Sequence, residues 1–172
     1  MGKDASEETL TYSTLIVEQL MTTGGGWQDQ VAALYGGFKI VTVENRLPIE
    51  ITVKEIQVSE KFLADFNSRL VLIYTGITRL AKDLLLNVLR NWYTLSPKIY
   101  QNINDLVKNS VKCGEILEEG NIEELRKCVS KNRMQKLVMA PESEPDTVQE
   151  LIIRISPFVD GELIFFLINR NF

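Results

Sequence analysis

The sequence predicts an α+β fold, and three observations support this prediction. Ile49, Ile51 and Val53 alternate with polar residues, which is the period-two pattern of a half-buried strand. Much of the second half of the chain instead repeats its apolar residues at helical spacing. Of 172 residues, 45% are hydrophobic and the formal net charge is −4, which fits one ordinary globular domain, or one domain with a fragment of another.

The first part of the chain is predicted to hold two helices and a hairpin. Apolar residues at Leu10, Leu15, Ile16 and Leu20 indicate an amphipathic first helix, and a glycine pair at 36–37 stops the second. A charged connector is predicted before an apolar run that reads as a strand buried on both faces. The predicted elements are helices over 7–21 and 27–34, strands over 38–43 and 49–58 with a turn at 44–48, the connector over 59–67, and the buried strand over 69–74.

From residue 79 onward the pattern is helical almost to the end of the chain. Pro97 suits a first helical turn, the Gly120–Asn121 pair breaks the run, and Asp146 is a good N-cap. The predicted elements are helices over 79–93, 96–119, 122–139 and 147–158, followed by a strand over 163–168 in the same sheet as the strand over 69–74.

Leucine-rich stripes in the helical part predict core faces, and a change in pattern near residue 67 predicts a boundary. The two pieces span residues 1–67, with the helices and hairpin, and 68–172, which is mostly helical. The predicted core stripes are Leu80, Leu84 and Val88, and Ile103, Leu106 and Val107.

Composition excludes several classes of function. The chain contains no histidine, which excludes mechanisms that use histidine as base or metal ligand. Cys113 and Cys128 alone cannot form a structural zinc site, and they are predicted to be reduced, partly buried thiols of a cytoplasmic protein. The mildly acidic charge offers no basic surface for nucleic acid or for a membrane, and the apolar run at 163–168 is too short to span a bilayer.

The most informative local feature is a glycine-dense stretch, TTGGGWQDQV at 22–31, that leads into a helical pattern. Three successive glycines permit a turn without Cβ crowding, and Asp29 follows close behind in the predicted helix. Such a turn can approach a ligand closely, and a helix N-terminus favours anionic groups. The stretch matches neither the dinucleotide-binding nor the P-loop pattern. From the residues alone, a surface turn followed by a solvated first-turn acid stays an open alternative.

The stretch TGGGWQDQ, followed by LYGG, resembles the middle motif of the sugar-kinase branch of the GHMP kinases. Its Trp-Gln-Asp-Gln form most resembles the fucokinases, and the resemblance extends over residues 15–160. Bacterial heptose kinases share a related Gln-Asp-Gln motif and stay an alternative. Further similar segments are VLIYTGITRLA at 71–81, NVLRNWY at 87–93 and QKLVMAP at 135–141.

The resemblance implies a GHMP-kinase-like fold. Residues 1–67 would be a remnant of the N-terminal domain that carries the GGGWQDQ motif, and 68–172 an incomplete C-terminal two-layer domain. It also implies ATP- and magnesium-dependent phosphorylation of the anomeric hydroxyl of L-fucose, which gives fucose 1-phosphate for salvage toward GDP-fucose. No nucleic-acid or membrane partner is implied, and self-association is left open.

The resemblance further assigns roles to individual residues. Asp29 matches the acid that acts as base, or as orienter, for the attacking hydroxyl. The glycines would let the chain approach the sugar, Gln28 and Gln30 would bond its hydroxyls, and Trp27 would form an apolar wall or be a core residue. The substrate-binding residues assigned in this way are Gly24, Gly25, Gly26, Trp27, Gln28, Gln30, Thr75, Gly76 and Arg79.

Two departures from the family's pattern bear on activity. In GHMP kinases a glycine- and serine-rich loop that holds the ATP phosphates, together with the magnesium ligands, comes before the GGGW segment, and no such loop precedes Thr22. A second glycine-rich motif is expected after residue 158, where VDGE stands instead. We therefore expect the chain to be inactive as a kinase by itself. The alternatives are a non-catalytic sugar-binding or interaction fragment and an unstable fragment without a function of its own.

Overall fold

The computed structural model describes residues 5–21, 25–44, 46–74, 81–94 and 96–159. Within these ranges the chain forms seven α-helices, one two-stranded sheet and two single 3₁₀ turns. The elements are α1 (Glu7–Leu20), α2 (Gln28–Leu34), β1 (Phe38–Val43), β2 (Ile51–Ile56), α3 (Glu60–Arg69), α4 (Ala81–Tyr93), α5 (Pro97–Glu119) and α6 (Ile122–Met139), a 3₁₀ turn (Pro141–Ser143), α7 (Asp146–Ile155) and a second 3₁₀ turn (Ser156–Phe158).

Most predicted elements are confirmed to within two residues, because local signals set their ends. The Ser6 hydroxyl accepts the backbone N–H of Thr9 at 3.2 Å and so caps α1. Gly120, at φ +71°, ends α5 in the left-handed conformation that favours glycine. The strands β1 and β2 pair antiparallel as the predicted hairpin.

The predicted charged connector over 59–67 is wrong, since this segment is helix α3. The Ser59 hydroxyl accepts the backbone N–H of Phe62 at 3.2 Å, which caps the helix. Phe62 and Phe66 stand four residues apart and therefore share one face, where Phe62 is buried and Phe66 half-buried. The apolar face of this short helix is narrow, and the many charged residues around it led to the prediction of a connector.

The predicted buried strand over 69–74 is also wrong in the described structure. Arg69 ends α3, and residues 70–74 continue without sheet pairing and with exposed side chains, from 44% for Ile73 to 79% for Leu72. An apolar segment is buried only where other segments of the protein pack against it, and no described strand packs against residues 70–74. The partner strand predicted over 163–168 lies outside the described residues.

Smaller corrections concern the ends and faces of helices. Asp146 is the first residue inside α7, and Pro145 takes the N-cap position without a side-chain bond. Helix α7 also ends at Ile155, before the second 3₁₀ turn. Val107 is 56% exposed and is not a core residue, whereas Val88, Ile103 and Leu106 are half-buried. The side chains of Leu80 and Leu84 lie outside the described part of the chain.

The core lies where the hairpin and α3 meet α5 and α6. In the sheet, Phe38 pairs with Ile56 and Val43 with Ile51. The Phe38 ring lies edge-on to Phe62 and Phe66, with centroids 6.2 and 5.4 Å away. The buried cluster consists of Ile56, Phe62, Ile116, Leu117, Leu125, Cys128 and Val129.

Both cysteines belong to this core region, which confirms the prediction of free, partly buried thiols. Cys128 is buried and Cys113 is half-buried. Burial, and then the neighbouring Cys128, raise the pKa of the Cys113 thiol above its usual value. The neutral thiol is therefore the form that suits this site.

Side-chain amides fix the register of the antiparallel pair α5 and α6. The buried Asn109 donates to the backbone oxygen of Cys128 at 2.8 Å, and Asn102 donates to that of Gln135 at 2.9 Å. The two donors are seven residues apart, and so are the two acceptors. A slip of either helix would break both bonds together and leave buried polar groups unpaired.

Helix α5 lies close against the hairpin at Gly114, which is buried. A Cβ atom there would collide with the end of the Ile40 side chain, and it would lie 2.9 Å from Ile40 Cγ1 and 3.5 Å from Ile56 Cδ1. The absence of a side chain at this position lets the helix lie against the sheet.

We expect Gly114→Val to lower the free energy of unfolding by about 1–3 kcal/mol, because the added methyl groups overpack the contact with Ile40. Gly36→Val is the control, since a Cβ at Gly36 meets no atom within 4 Å. Urea denaturation of both variants measures the difference. Equal stability of the two variants would contradict the close approach of α5 to the hairpin.

Candidate functional site

The glycine-dense segment connects α1 to α2. Gly25 is buried, Gly26 is exposed, and Trp27 is half-buried at the N-cap position of α2. Gln28 and Asp29 follow in the first turn of the helix. The helix begins one residue later than predicted, and the placement of Asp29 in its first turn is confirmed.

An exposed glutamine of α1 and a buried glutamine of α2 both bond the backbone of this turn. Gln19 of α1 donates from Nε2 to the backbone oxygen of Gly25 at 2.6 Å. The amide of Gln30, oriented to suit its surroundings, donates to the backbone oxygens of Gly26 at 2.9 Å and Trp27 at 3.0 Å. Val31, 1% exposed, packs directly behind them. The segment is therefore a braced turn.

The solvent side of the turn carries two adjacent polar side chains, those of Gln28 and Asp29, which are both exposed. The Gln28 amide folds back over Gly26, in space that any Cβ on Gly26 would occupy. Glycine at position 26 is thus required for the observed placement of Gln28. The result is an exposed amide and an exposed carboxylate at consecutive positions of the first turn of α2.

The structure divides the predicted site residues into two groups by environment. Gln28 and Asp29 face solvent, whereas the buried Gln30 bonds the turn itself, so its predicted contact with sugar stays a prediction. Trp27 lies between these extremes and is half-buried. Gly24, Thr75, Gly76 and Arg79 lie outside the described residues, and their predicted roles stay predictions.

Supporting residues that sequence reasoning missed tie the turn to the hairpin. The Tyr12 hydroxyl donates to the backbone oxygen of Ile49 and accepts the backbone N–H of Ile51 at 3.3 Å, which joins α1 to β2. The Lys39 ammonium donates to the backbone oxygen of Tyr35 just after α2. These residues bond to backbone atoms, and the partners of Tyr12 are also far from it in sequence. No local sequence pattern therefore predicts these bonds.

The Tyr35 side chain lies in an acidic neighbourhood beside this junction. Desolvation first, and then the charges of Glu7, Glu8 and Tyr12, raise the pKa of its hydroxyl. The neutral phenol is therefore maintained over the physiological range.

The described residues do not supply a carboxylate, cysteine or histidine cluster for a metal ion. Among them, no group of three or more His, Cys, Asp or Glu side chains could hold a metal ion. An open depression does lie at the hairpin turn, lined by Val43, Glu44, Arg46, Leu47 and Ile49, and none of these residues is a predicted site residue. Magnesium would therefore need ligands other than a carboxylate cluster in the described part of the chain.

No helix in the described ranges is both long and apolar enough to cross a lipid bilayer.

Two curated proteins match nearly the whole chain. The bifunctional fucokinase/GDP-fucose pyrophosphorylase of Arabidopsis thaliana is 27% identical over 158 residues, which cover 92% of this chain. The L-fucokinase/L-fucose-1-P guanylyltransferase of Bacteroides fragilis is 27% identical over 148 residues, or 86% of this chain. The protein is fucokinase-related. The predicted resemblance to fucokinases is confirmed at this level.

The match covers only a small part of each relative. The aligned region makes up 15% of the Arabidopsis protein and 16% of the Bacteroides protein. No protein-family model matches the chain. No solved structure matches it either.

We expect Gln30→Ala in this fucokinase-related chain to lower the free energy of unfolding by about 1–3 kcal/mol, because it removes two hydrogen bonds worth about 0.5–1.5 kcal/mol each. Gln28→Ala is the matched control, since its amide is exposed, and we expect a change within about 0.5 kcal/mol. Chemical denaturation distinguishes the two. A larger loss for Gln28→Ala would refute the bracing role of Gln30.

Proposed function

We propose that this chain carries the sugar-facing part of an ATP-dependent kinase of the GHMP type that phosphorylates the anomeric hydroxyl of L-fucose. The observation that supports the proposal is the match of 86–92% of this chain to two proteins named as fucokinases. In this chain, Asp29 is exposed and follows the braced turn. The proposed product is fucose 1-phosphate.

In this proposal Asp29 accepts the proton of the attacking hydroxyl, or orients that hydroxyl. Phosphoryl transfer needs little covalent help from the protein, so positioning and electrostatic stabilisation supply most of the rate. A carboxylate within hydrogen-bond reach of the hydroxyl would take its proton as the new P–O bond forms and the bond from the γ-phosphorus to the oxygen of the leaving ADP breaks. The bonds beneath the turn matter here because a misplaced base loses much of its effect.

The neighbouring residues would give the sugar its orientation. Gln28 offers both a donor and an acceptor beside Asp29, so it can bond a second hydroxyl of the same sugar. The exposed part of Trp27 offers an apolar surface for the C–H face of the ring. Gly26 leaves the space over its backbone to the Gln28 amide, which would meet the sugar there.

The proposal assigns ATP phosphates and magnesium to residues other than those described here. Magnesium requires oxygen ligands in near-octahedral geometry, and the described residues hold no acidic cluster that could supply them. A chain limited to the sugar-facing residues would hold L-fucose without transferring phosphate. A non-catalytic sugar-binding role is therefore the second candidate, and it uses the same residues.

We expect the purified 172-residue chain to show no appreciable phosphorylation of L-fucose, since loss of even one transition-state stabiliser costs about 10²–10³ in rate. Transfer of labelled phosphate from ATP to L-fucose measures this. Titration of the chain with L-fucose, followed by amide NMR, should shift the resonances of Gln28 and Asp29. Steady turnover by mass-verified chain would overturn the expectation, and unshifted resonances at saturating sugar would count against the sugar site.

The role of Asp29 is tested in a chimera in which this chain replaces the matching segment of the Arabidopsis relative. We expect Asp29→Asn to lower kcat by about 10²–10⁴-fold with little change in KM, because the amide keeps the shape but cannot accept a proton. Asp146→Asn is the matched control, since Asp146 is also an exposed first-turn acid of a helix. If both variants retain activity within a few-fold, Asp29 is only a solvated helix acid.

A further inference from the structure

The amide of Gln28 lies over the backbone of Gly26, where no side chain stands in its way. A Cβ atom on Gly26 would collide with Gln28 Oε1, and it would lie 3.2 Å from Cδ and 3.4 Å from Nε2 of the same side chain. The whole amide therefore occupies the space that a side chain at position 26 would take. Both residues are exposed, so the arrangement lies at the surface of the glycine-dense turn.

The backbone itself does not require glycine at position 26. Gly37 and Gly120 have a positive φ, which other residues rarely adopt, whereas Gly26 does not. The Gln28 side chain is long and exposed, so it can move aside for a methyl group. The fold would therefore tolerate alanine at position 26, but the Gln28 amide would lose its observed position.

The hydrogen-bonding groups of the Gln28 amide are available to a ligand. Within the described part of the chain this amide forms no hydrogen bond. The amides of Gln19 and Gln30 differ in this respect, because both donate to the backbone of the turn. A primary amide offers a donor and an acceptor, and a sugar hydroxyl can bond to either.

We propose that Gln28 selects the sugar through one ring hydroxyl other than the anomeric one, and that Gly26 is the positioning residue that leaves room for the Gln28 amide. This inference rests on the proposed function, in which Asp29 takes the anomeric hydroxyl. Gln28 precedes Asp29 in the first turn of α2, so one sugar can reach both side chains. A site that bonds a hydroxyl discriminates against analogues that lack it, because the protein group is then left unpaired in the complex.

The observed placement of the amide argues against another role for Gly26, that of letting the sugar reach the backbone. The space over Gly26 already contains the Gln28 amide, so a sugar there meets this side chain first. The two roles differ when both residues are changed. If Gly26 acts through Gln28, replacing Gly26 has no further effect once the amide is gone. If Gly26 admits the sugar to the backbone, its replacement weakens binding with or without the amide.

A double-mutant cycle on the full 172-residue chain tests this coupling. L-fucose is titrated into the wild-type chain, Gly26→Ala, Gln28→Ala and the double variant, and amide NMR gives the Kd of each. We expect each single change to weaken binding by about 2–10-fold, the size of one net hydrogen bond. The double variant should bind no more weakly than Gln28→Ala.

Gly36→Ala is the matched control. Gly36 is also exposed, has no positive φ, and lies just beyond the other end of α2, where a Cβ atom meets nothing within 4 Å. This variant should bind L-fucose as tightly as the wild-type chain. The urea midpoint of Gly26→Ala should not fall below that of the wild-type chain, and a lower midpoint would make Gly26 a structural residue and overturn its assignment.

Analogues of L-fucose that each lack one ring hydroxyl test the selection by Gln28. For one of these analogues, we expect the wild-type chain to bind about 2–10-fold more weakly than it binds L-fucose, and this difference to disappear in Gln28→Ala. If every analogue loses the same affinity in Gln28→Ala as in the wild-type chain, Gln28 does not select the sugar.

The remaining outcomes separate this inference from the proposed function. Gly26→Ala that binds L-fucose as tightly as the wild-type chain would overturn the positioning role. An equal loss on replacing Gly26 with and without the Gln28 amide would overturn it as well. In both cases the wild-type chain still binds the sugar, so the proposed function stands. A wild-type chain that does not bind L-fucose would refute the proposed sugar site and this inference together.

Discussion

The close packing of α5 against the hairpin is the contact on which the other arrangements depend. Gly114 leaves room for Ile40 and Ile56, and the Phe38 ring completes the layer against Phe62 and Phe66. This is where most of the buried apolar residues in the described part of the chain lie. Burial of that area provides the main driving force, since apolar surface stabilises a fold in proportion to the area removed from water. Helix α1 is joined to this hairpin through Tyr12.

The candidate site is connected to this core through polar bonds more than through apolar packing. Tyr12 ties α1 to the end of β2, Gln19 ties α1 to the glycine turn, and Gln30 closes the turn from within. Val31 adds one deeply buried apolar contact. Hydrogen bonds are directional, so such a network sets the orientation of Gln28 and Asp29 more sharply than contact area alone would do.

The turn that follows α6 is fixed by an ion pair with little exposure to solvent. Arg133 of α6 donates from Nε and a terminal nitrogen to both oxygens of Glu144, at 2.6 and 2.7 Å, and the two side chains are only 18% and 4% exposed. Gln149 of α7 donates to the backbone oxygen of Glu144 at 2.9 Å. This pair sets where the chain turns after α6, because either charge without its partner would be costly to bury.

The sequence by itself determined the elements whose signals lie within a few residues. Ser6 and Gly120 mark helix ends, alternation marks the hairpin, and the Trp27–Gln30 motif indicated the fucokinase relationship that two relatives support. These features depend on local backbone geometry and on a short motif, so a single sequence displays them directly. The first-turn position of Asp29 was predictable for the same reason.

Only the tertiary structure decided which faces are buried. It placed Thr11 inward and Ile16 outward on α1, made a helix of the charged segment around Phe62, and left residues 70–74 uncovered. The tertiary structure also shows that the buried Gln30 amide donates hydrogen bonds to the backbone of its own turn. Burial of a residue depends on which distant parts of the chain pack against it. An apolar pattern indicates that a face is suited to burial but does not identify the segment that covers that face.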